Sequence, residues 1–182
     1  HNVIRAAASS RPRSRHYAGA MVIHVVASAR TGEAAASPWP FVIGGESGVQ
    51  HWLAALGIRP GARIAFAGLN TLGAAQLLVA GLRYGLTMVL LNRRLTAAEL
   101  SDQLERAACT RVLADPAHPV AAITQHVAIP SAFSGDGGDG SAPTGALVLF
   151  TSGTSGTPKA ARLGSKAIIA ATTAHVTALG LT

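Results

Sequence analysis

The sequence predicts an α/β domain in which helices flank a mainly parallel sheet. Short apolar runs suited to strands alternate with segments suited to helices from residue 49 to residue 151, and this alternation is typical of parallel sheets. The chain has 182 residues, of which 49% are apolar, so it can bury one core and has little room for a second. We therefore assign residues 39–182 to a single domain.

The first two strands are predicted at residues 63–69 and 87–91, and each follows a predicted helix in the sequence. The helices are predicted at residues 49–56 and 71–84, and each is followed by a glycine, Gly57 or Gly85, which favours helix termination. The apolar stretch from residue 71 to residue 91 is long enough to suggest a membrane span. Arg83 and three glycines within it favour a buried helix followed by a strand, so we expect no membrane span.

A capping box predicts the next helix, at residues 97–108. The Thr96 side chain is placed to accept a hydrogen bond from the amide three residues on, while the Glu99 side chain is placed to accept one from the Thr96 amide. Two short strands follow, one predicted at residues 111–114 and a candidate at residues 126–129. The last strand is predicted at residues 146–151, because the continuous apolar run at residues 146–150 suits a strand buried on both faces.

The loop at residues 134–143 contains a G-x-G-x-x-G pattern formed by Gly135, Gly137 and Gly140. Asp136 and Asp139 would repel a pyrophosphate, no strong strand precedes the loop, and a strand rather than a helix follows it. We therefore interpret the loop as a flexible surface connection rather than a dinucleotide site.

The basic character of the chain is concentrated at its start. The formal net charge is +7, and four arginines lie in the first 20 residues, which contain no acid. From residue 21 onward 11 basic residues accompany 8 acidic ones, without the basic stripe and interleaved aromatics of nucleic-acid binding. Anionic nucleotides, and no nucleic acid, are therefore the expected partners.

Residues 1–38 form a basic segment that we interpret as disordered or non-native. Its Arg-, Ser- and Ala-rich start has the composition of a transit peptide, and a short apolar core near residues 17–27 is the weaker signal of a secretory peptide. The chain does not begin with Met, however, so Met21 is the expected natural start. A targeting role stays open as the alternative.

The thiol and imidazole side chains give no sign of a metal site. Cys109 is the only cysteine, so no disulfide can form within the chain, and the seven histidines are scattered singly. Metal sites need such side chains in clusters. We expect no metal-ligating residues and a reducing, cytoplasmic setting, while the oligomeric state is left open.

The segment from Thr151 to Lys159 is predicted to bind phosphates. Its glycines allow positive φ angles that turn successive amides inward, its hydroxyls add donors, and Lys159 adds a compact positive charge. A Walker A loop would need G-x-x-x-x-G-K-[ST], which is absent, and a generic polar linker is the alternative. The predicted binding residues are Thr151, Ser152, Gly153, Thr154, Ser155, Gly156, Thr157 and Lys159.

Three segments resemble the adenylate-forming (AMP-binding) superfamily, which includes acyl-CoA synthetases, peptide-synthetase adenylation domains and luciferases. FTSGTSGTPK at residues 150–159 closely resembles the AMP-binding signature. LGIRPGARIA at residues 56–65, with Asn70, and LLNRRLTAAEL at residues 90–100 match two earlier family blocks in the expected order. The last of these is similar to the block of o-succinylbenzoate:CoA ligases.

The departures from the family pattern limit what the resemblance implies. Ala160 stands where the family usually has Gly, and Gly164-Ser165 stands where a Thr-His pair is common. The family's later motifs for adenosine, ribose and metal, and its C-terminal catalytic Lys, would all lie beyond Thr182. The resemblance therefore implies the truncated N-terminal subdomain of such a ligase, inactive by itself.

The resemblance also implies a reaction for the full-length enzyme. An acid-thiol ligase of this kind uses ATP and Mg²⁺ to activate a small-molecule carboxylic acid as acyl-adenylate, and then transfers the acyl group to coenzyme A. Lys159 is the candidate catalytic residue because its charge would contact the departing pyrophosphate. A peptide-synthetase adenylation domain and a truncated, non-catalytic nucleotide-binding remnant are the alternatives.

Overall fold

The computed structural model describes residues 44–138, 141–151 and 158–179. The predicted N-terminal segment 1–38 lies outside these residues. No helix in the described ranges is long and apolar enough to cross a membrane. The elements, in chain order, are α1 (Glu46–Ala55), β1 (Arg63–Ala67), α2 (Leu72–Arg83), β2 (Thr87–Leu90), α3 (Ala97–Ala107), β3 (Arg111–Ala114), a 3-10 helix (Pro119–Ala122), β4 (Val127–Ala128), β5 (Ala146–Thr151), β6 (Lys159–Gly164) and α4 (Ser165–Ala178).

The strands form one sheet in the order β4-β3-β1-β2-β5-β6. The first five strands are parallel to their neighbours, and only β6 runs antiparallel, beside β5. Parallel neighbours need a crossover connection, which explains why helices separate β1, β2 and β3 in the sequence. The predicted α/β domain with a mainly parallel sheet is confirmed.

Helices cover both faces of the sheet. Ile64 and Phe66 of β1 belong to the core shared with α1, α2 and Ile168 of α4. The intervening Ala65 and Ala67 belong to the core on the opposite face, which includes Leu100 of α3. Because successive side chains of a strand point to opposite faces, α3 covers the face opposite the other three helices.

Local capping determines where two of the helices begin, and the sequence predicts the cap of the second. The Thr71 side chain accepts a hydrogen bond from the Ala74 amide at 3.2 Å, which fixes the start of α2. At α3 both halves of the capping box are present, with Thr96 and Glu99 exchanging hydrogen bonds. The predicted bounds of α2, α3 and β3 agree with the observed ones to within one residue.

Two predicted features of the later strands need correction. The strand predicted at residues 126–129 contains only two residues, Val127–Ala128. The last strand has the predicted bounds, but burial on both faces is wrong for Leu147, Leu149 and Phe150, which are only partly buried. The neighbouring β6 has no fully buried residue, and α4 contributes only Ile168 to the buried core.

The described part of the G-x-G-x-x-G loop is attached to the start of α1. The amides of Gly45 and Ser47 donate to the carbonyls of Gly135 and Asp136 at 3.0 and 3.3 Å, and the Asp136 amide donates to Ser47 Oγ at 3.0 Å. These carbonyls satisfy helix N–H groups that have no acceptor within the helix. The described residues of the loop lie mostly at the surface, as predicted, but residues 135–136 are fixed by hydrogen bonds, so flexibility is wrong for them.

Candidate functional site

The candidate site lies at the edge of the sheet where the parallel strands end. The helix after β1 covers one face and the helix after β2 covers the other, so their chains diverge beyond these two neighbouring strands. Such a divergence leaves a crevice outside the carboxyl ends of the strands, where ligands of open α/β sheets bind. Because β5 lies parallel to β2, its carboxyl end reaches the same edge.

The segment predicted to grip phosphates connects two antiparallel strands at this edge. The pairing of β5 with β6 runs from Ala146 with Gly164 to Thr151 with Lys159. The Thr151 hydroxyl donates to the Lys159 carbonyl oxygen at 3.2 Å, which fastens the last pair. The two ends of the loop are therefore held side by side.

The structure positions two of the eight predicted binding residues. Thr151 and Lys159 are both exposed, at the end of β5 and the beginning of β6. The other six, Ser152, Gly153, Thr154, Ser155, Gly156 and Thr157, lie outside the described residues, so their predicted role stays a prediction. In this structure the Thr151 hydroxyl proton is directed at the Lys159 carbonyl, and phosphate binding by this hydroxyl also stays a prediction.

Sequence reasoning missed Arg106, which contacts Phe150 of β5 and Pro158, the residue before β6. Its Nη2 donates to the Pro158 carbonyl oxygen at 2.5 Å, and its Cζ lies 5.8 Å from the centroid of the Phe150 ring. Nη1 pairs with Asp102, one helical turn earlier, at 3.0 Å. An Asp and an Arg four residues apart usually indicate a solvent-facing ion pair, so no signal in the sequence distinguishes this arginine.

His118 supports the loop that follows β2. Its Nδ1 accepts from the Val120 amide at 3.1 Å, so Nε2 carries the proton and donates to the Leu91 carbonyl at 3.3 Å. The ring is 2% exposed. Burial lowers its pKa, although the Leu91 hydrogen bond and the charge of Asp115 oppose the shift. The histidine is therefore a neutral structural group at ordinary pH.

The described ranges contain neither a metal cluster nor an activated thiol. No group of three His, Cys, Asp or Glu side chains within them is arranged to hold a metal ion. Burial raises the pKa of Cys109 to about 11, with Arg63 opposing the shift. The thiolate form that attacks as a nucleophile is therefore rare at neutral pH.

Comparison with known proteins finds a family for most of the chain. The family model described as AMP-binding enzyme matches residues 49–181. No curated protein matches the sequence.

Solved structures of several proteins are similar to this chain. The o-succinylbenzoate coenzyme A synthetase (MenE) of Bacillus subtilis, in complex with ATP and magnesium ion, is 21% identical with a TM-score of 0.57, and the match covers 76% of this chain and 40% of that one. The N-terminal subdomain of Klebsiella oxytoca NpsA is 20% identical with a TM-score of 0.52, and the match covers 69% of this chain and 35% of that one. The complex of VinN with 3-methylaspartate is 20% identical with a TM-score of 0.53, and the match covers 75% of this chain and 43% of that one. The chain therefore spans about two fifths of these structures and shares their fold.

Proposed function

Because the chain belongs to the AMP-binding enzyme family, we propose that it supplies the phosphate-binding loop of an ATP-dependent carboxylate:CoA ligase. In the proposed reaction a carboxylate attacks the α-phosphate of Mg-ATP, so that pyrophosphate leaves and an acyl-adenylate forms. The thiol of coenzyme A then displaces AMP to give the thioester. The reaction belongs to the whole enzyme, of which this chain carries the loop.

One observation carries the proposal: the pairing of Thr151 with Lys159 closes a glycine-rich loop at the carboxyl edge of a parallel sheet. Lys159 is exposed there, so its ammonium group can reach an anion. The sequence of the connection offers hydroxyls and glycines and no acid, which suits a triphosphate. The residues present therefore fit the phosphate end of ATP.

The loop would contribute positioning and charge stabilisation. Amides and hydroxyls of residues 152–157 would hold the β- and γ-phosphates in line as charge builds on the departing pyrophosphate. Lys159 would add a charge-assisted contact to the same anion. Mg²⁺ would be held largely by the nucleotide phosphates, as is usual where it accompanies ATP.

The acid and the acceptor are inferred from resemblance. The block at residues 90–100 and the fold shared with the Bacillus subtilis synthetase support o-succinylbenzoate as the acid and coenzyme A as the acceptor. A shared fold by itself does not fix a substrate. The test is therefore designed around ATP, which the proposal needs whatever the acid.

The test replaces the two lysines of the chain separately in the complete enzyme. Lys159→Ala should slow ATP–pyrophosphate exchange by about 10- to 100-fold, because a hydrogen bond to a charged group contributes roughly 1.5–3 kcal/mol. Lys166→Ala is the matched control, since Lys166 is also exposed but lies in α4, and it should leave the exchange unchanged. An unchanged rate for Lys159→Ala would refute the assignment of this lysine.

The second half-reaction separates the loop from a general loss of fold. The Lys159→Ala enzyme should still convert preformed acyl-adenylate and coenzyme A to the thioester at close to the normal rate. Gly153→Val should slow pyrophosphate exchange even more, because a β-branched residue disfavours the positive φ that the sequence predicts there. Equal losses in both half-reactions would show that residues 151–159 are not the phosphate loop.

A further inference from the structure

We propose that Arg106 of α3 is a positioning residue that holds both ends of the phosphate loop in place. The inference rests on the proposed function of residues 151–159, but the contacts that carry it belong to described residues. Phe150 immediately precedes Thr151, and Pro158 immediately precedes Lys159. A single guanidinium group touches both of these flanking residues.

Strand pairing supports this end of the hairpin on one side only. Parallel pairing between β2 and β5 ends at Val89 with Val148. The last three residues of β5 continue beyond this point and are paired with β6 alone. Beyond the last β2 pair, two kinds of contact tie this end of the hairpin to the body of the domain. Phe150 packs against the cluster that contains Val89 and Ala107. Arg106 contacts both Phe150 and Pro158.

Arg106 is itself oriented by a neighbouring side chain and by the packing of its helix. Asp102 Oδ2 accepts a hydrogen bond from Arg106 Nη1 at 3.0 Å, and Nη2 is directed at the Pro158 carbonyl. The neighbouring Ala107 is 4% exposed and packs with Val148 of β5. The end of α3 is therefore fixed against the strand that its arginine supports.

The chemistry of the contact requires an arginine. A planar guanidinium can donate to an acid and a carbonyl through different nitrogens while its flat face lies over an aromatic ring. A lysine ammonium can replace one of these contacts at a time. The Arg106 side chain is 34% exposed, which moderates its electrostatic contribution, so we expect effects of about tenfold rather than a complete loss.

The first test measures the support without reference to catalysis. Hydrogen–deuterium exchange in the complete protein should be about tenfold faster for residues 149–161 in Arg106→Gln, which corresponds to about 1.4 kcal/mol. Exchange in β1 and β3 should stay unchanged. Arg111→Gln is the matched control, because this exposed arginine begins β3, which β1 and β2 separate from β5 in the sheet. Unchanged exchange at residues 149–161 in Arg106→Gln would overturn the inference.

The second test asks whether the support matters for the nucleotide. Arg106→Gln should lower kcat/KM for Mg-ATP in pyrophosphate exchange by about tenfold, while KM for the acid and the thioester half-reaction stay unchanged. Arg106→Lys should recover part of the loss. A general structural defect would instead lower all of these parameters together, and that result would refute a positioning role.

The combination of variants distinguishes the two proposals. If Arg106→Gln speeds hydrogen exchange in the hairpin but Lys159→Ala leaves pyrophosphate exchange unchanged, the support is real and the phosphate loop is wrong. If Lys159→Ala slows the reaction but Arg106→Gln changes neither hydrogen exchange nor kinetics, the loop stands and the support is wrong.

Discussion

Glu46 of α1 and Arg83 of α2 form a buried ion pair, with 3.1 Å between Oε2 and Nη1. The two side chains are only 4% and 2% exposed. Arg83 Nη2 also lies 3.4 Å from Ser141 Oγ, so the pair reaches the segment that leads into β5. The packing of two helices on one face of the sheet thus includes two charges removed from water.

Replacing one member of this pair should be costly for stability. Glu46→Gln should lower the free energy of unfolding by about 3–5 kcal/mol, because it leaves a buried charge without its compensating charge. Urea denaturation provides the measurement. Asp102→Asn is the control, since it removes the carboxylate of an exposed ion pair and should cost about 1 kcal/mol or less. Equal costs for the two variants would contradict the assigned burial.

Gly73 should tolerate no side chain, although it lies in a helix where alanine is normally favoured. A Cβ there would lie 1.8 Å from the Pro130 carbonyl oxygen, and the Gly73 amide donates to the Ser131 carbonyl at 2.8 Å. We expect Gly73→Ala to destabilise the domain by about 1–3 kcal/mol, as overpacking does.

A second glycine of α2 is the control for this prediction. A Cβ at Gly81 would first meet the Met88 sulfur at 3.3 Å, and a methionine side chain can adjust. The free energy of unfolding of Gly81→Ala should therefore lie within about 1 kcal/mol of that of the parent protein, because better helix propensity offsets the crowding. Thermal unfolding of both variants measures the difference, and similar melting temperatures would disprove the close approach at Gly73.

The capping box of α3 predicts a pH-dependent stability. Hydrogen bonds from the Thr96 amide and hydroxyl lower the pKa of Glu99 from its usual 4.5. Stability from this lowered pKa is present above pH 4.5 and is lost as the pH falls through the folded-state value. The free energy of unfolding of Glu99→Gln should therefore differ most from that of the parent protein at neutral pH, and this difference should shrink as the pH falls. Glu105→Gln, on the same helix outside the box, is the control in urea titrations.

His118 predicts a pH effect in a higher range. Its pKa is lowered by burial, so the unfolded chain takes up a proton first as the pH falls below 6.5. Stability should decrease from that pH down to the folded-state pKa and then level off. His118→Asn keeps an acceptor for the Val120 amide and should abolish this decrease. His51→Asn, at an exposed position of α1, should leave the decrease in place.

The sequence predicts those parts of the fold that local chemistry decides. The caps at Thr71 and Thr96 satisfy amides within one turn, so α2 and α3 begin where the sequence indicates. By contrast, β6 has no apolar alternation, and Arg162 and Leu163 are both exposed. It is a strand because it pairs with β5, and that pairing is not visible in its own residues.

The candidate site shows the same division. Thr151 and Lys159 follow from a motif whose glycines, hydroxyls and lysine lie next to one another in the sequence. Arg106 acts on Pro158 across 52 residues of chain, and its sequence neighbours suggest only an ordinary ion pair with Asp102. A contact that depends on the packing of α3 against the hairpin requires the three-dimensional arrangement.

The antiparallel pairing of β5 with β6 affects the order in which the domain folds. Thr151 and Lys159 are eight residues apart in the chain, whereas the contact of Thr110 with Arg63 spans 47 residues. Short loops close with less loss of chain entropy, and hairpins form within about 1–10 μs. The two ends of the loop that we assign to phosphate can therefore meet before the parallel strands assemble, and the long-range contact with Arg106 fixes their position afterwards.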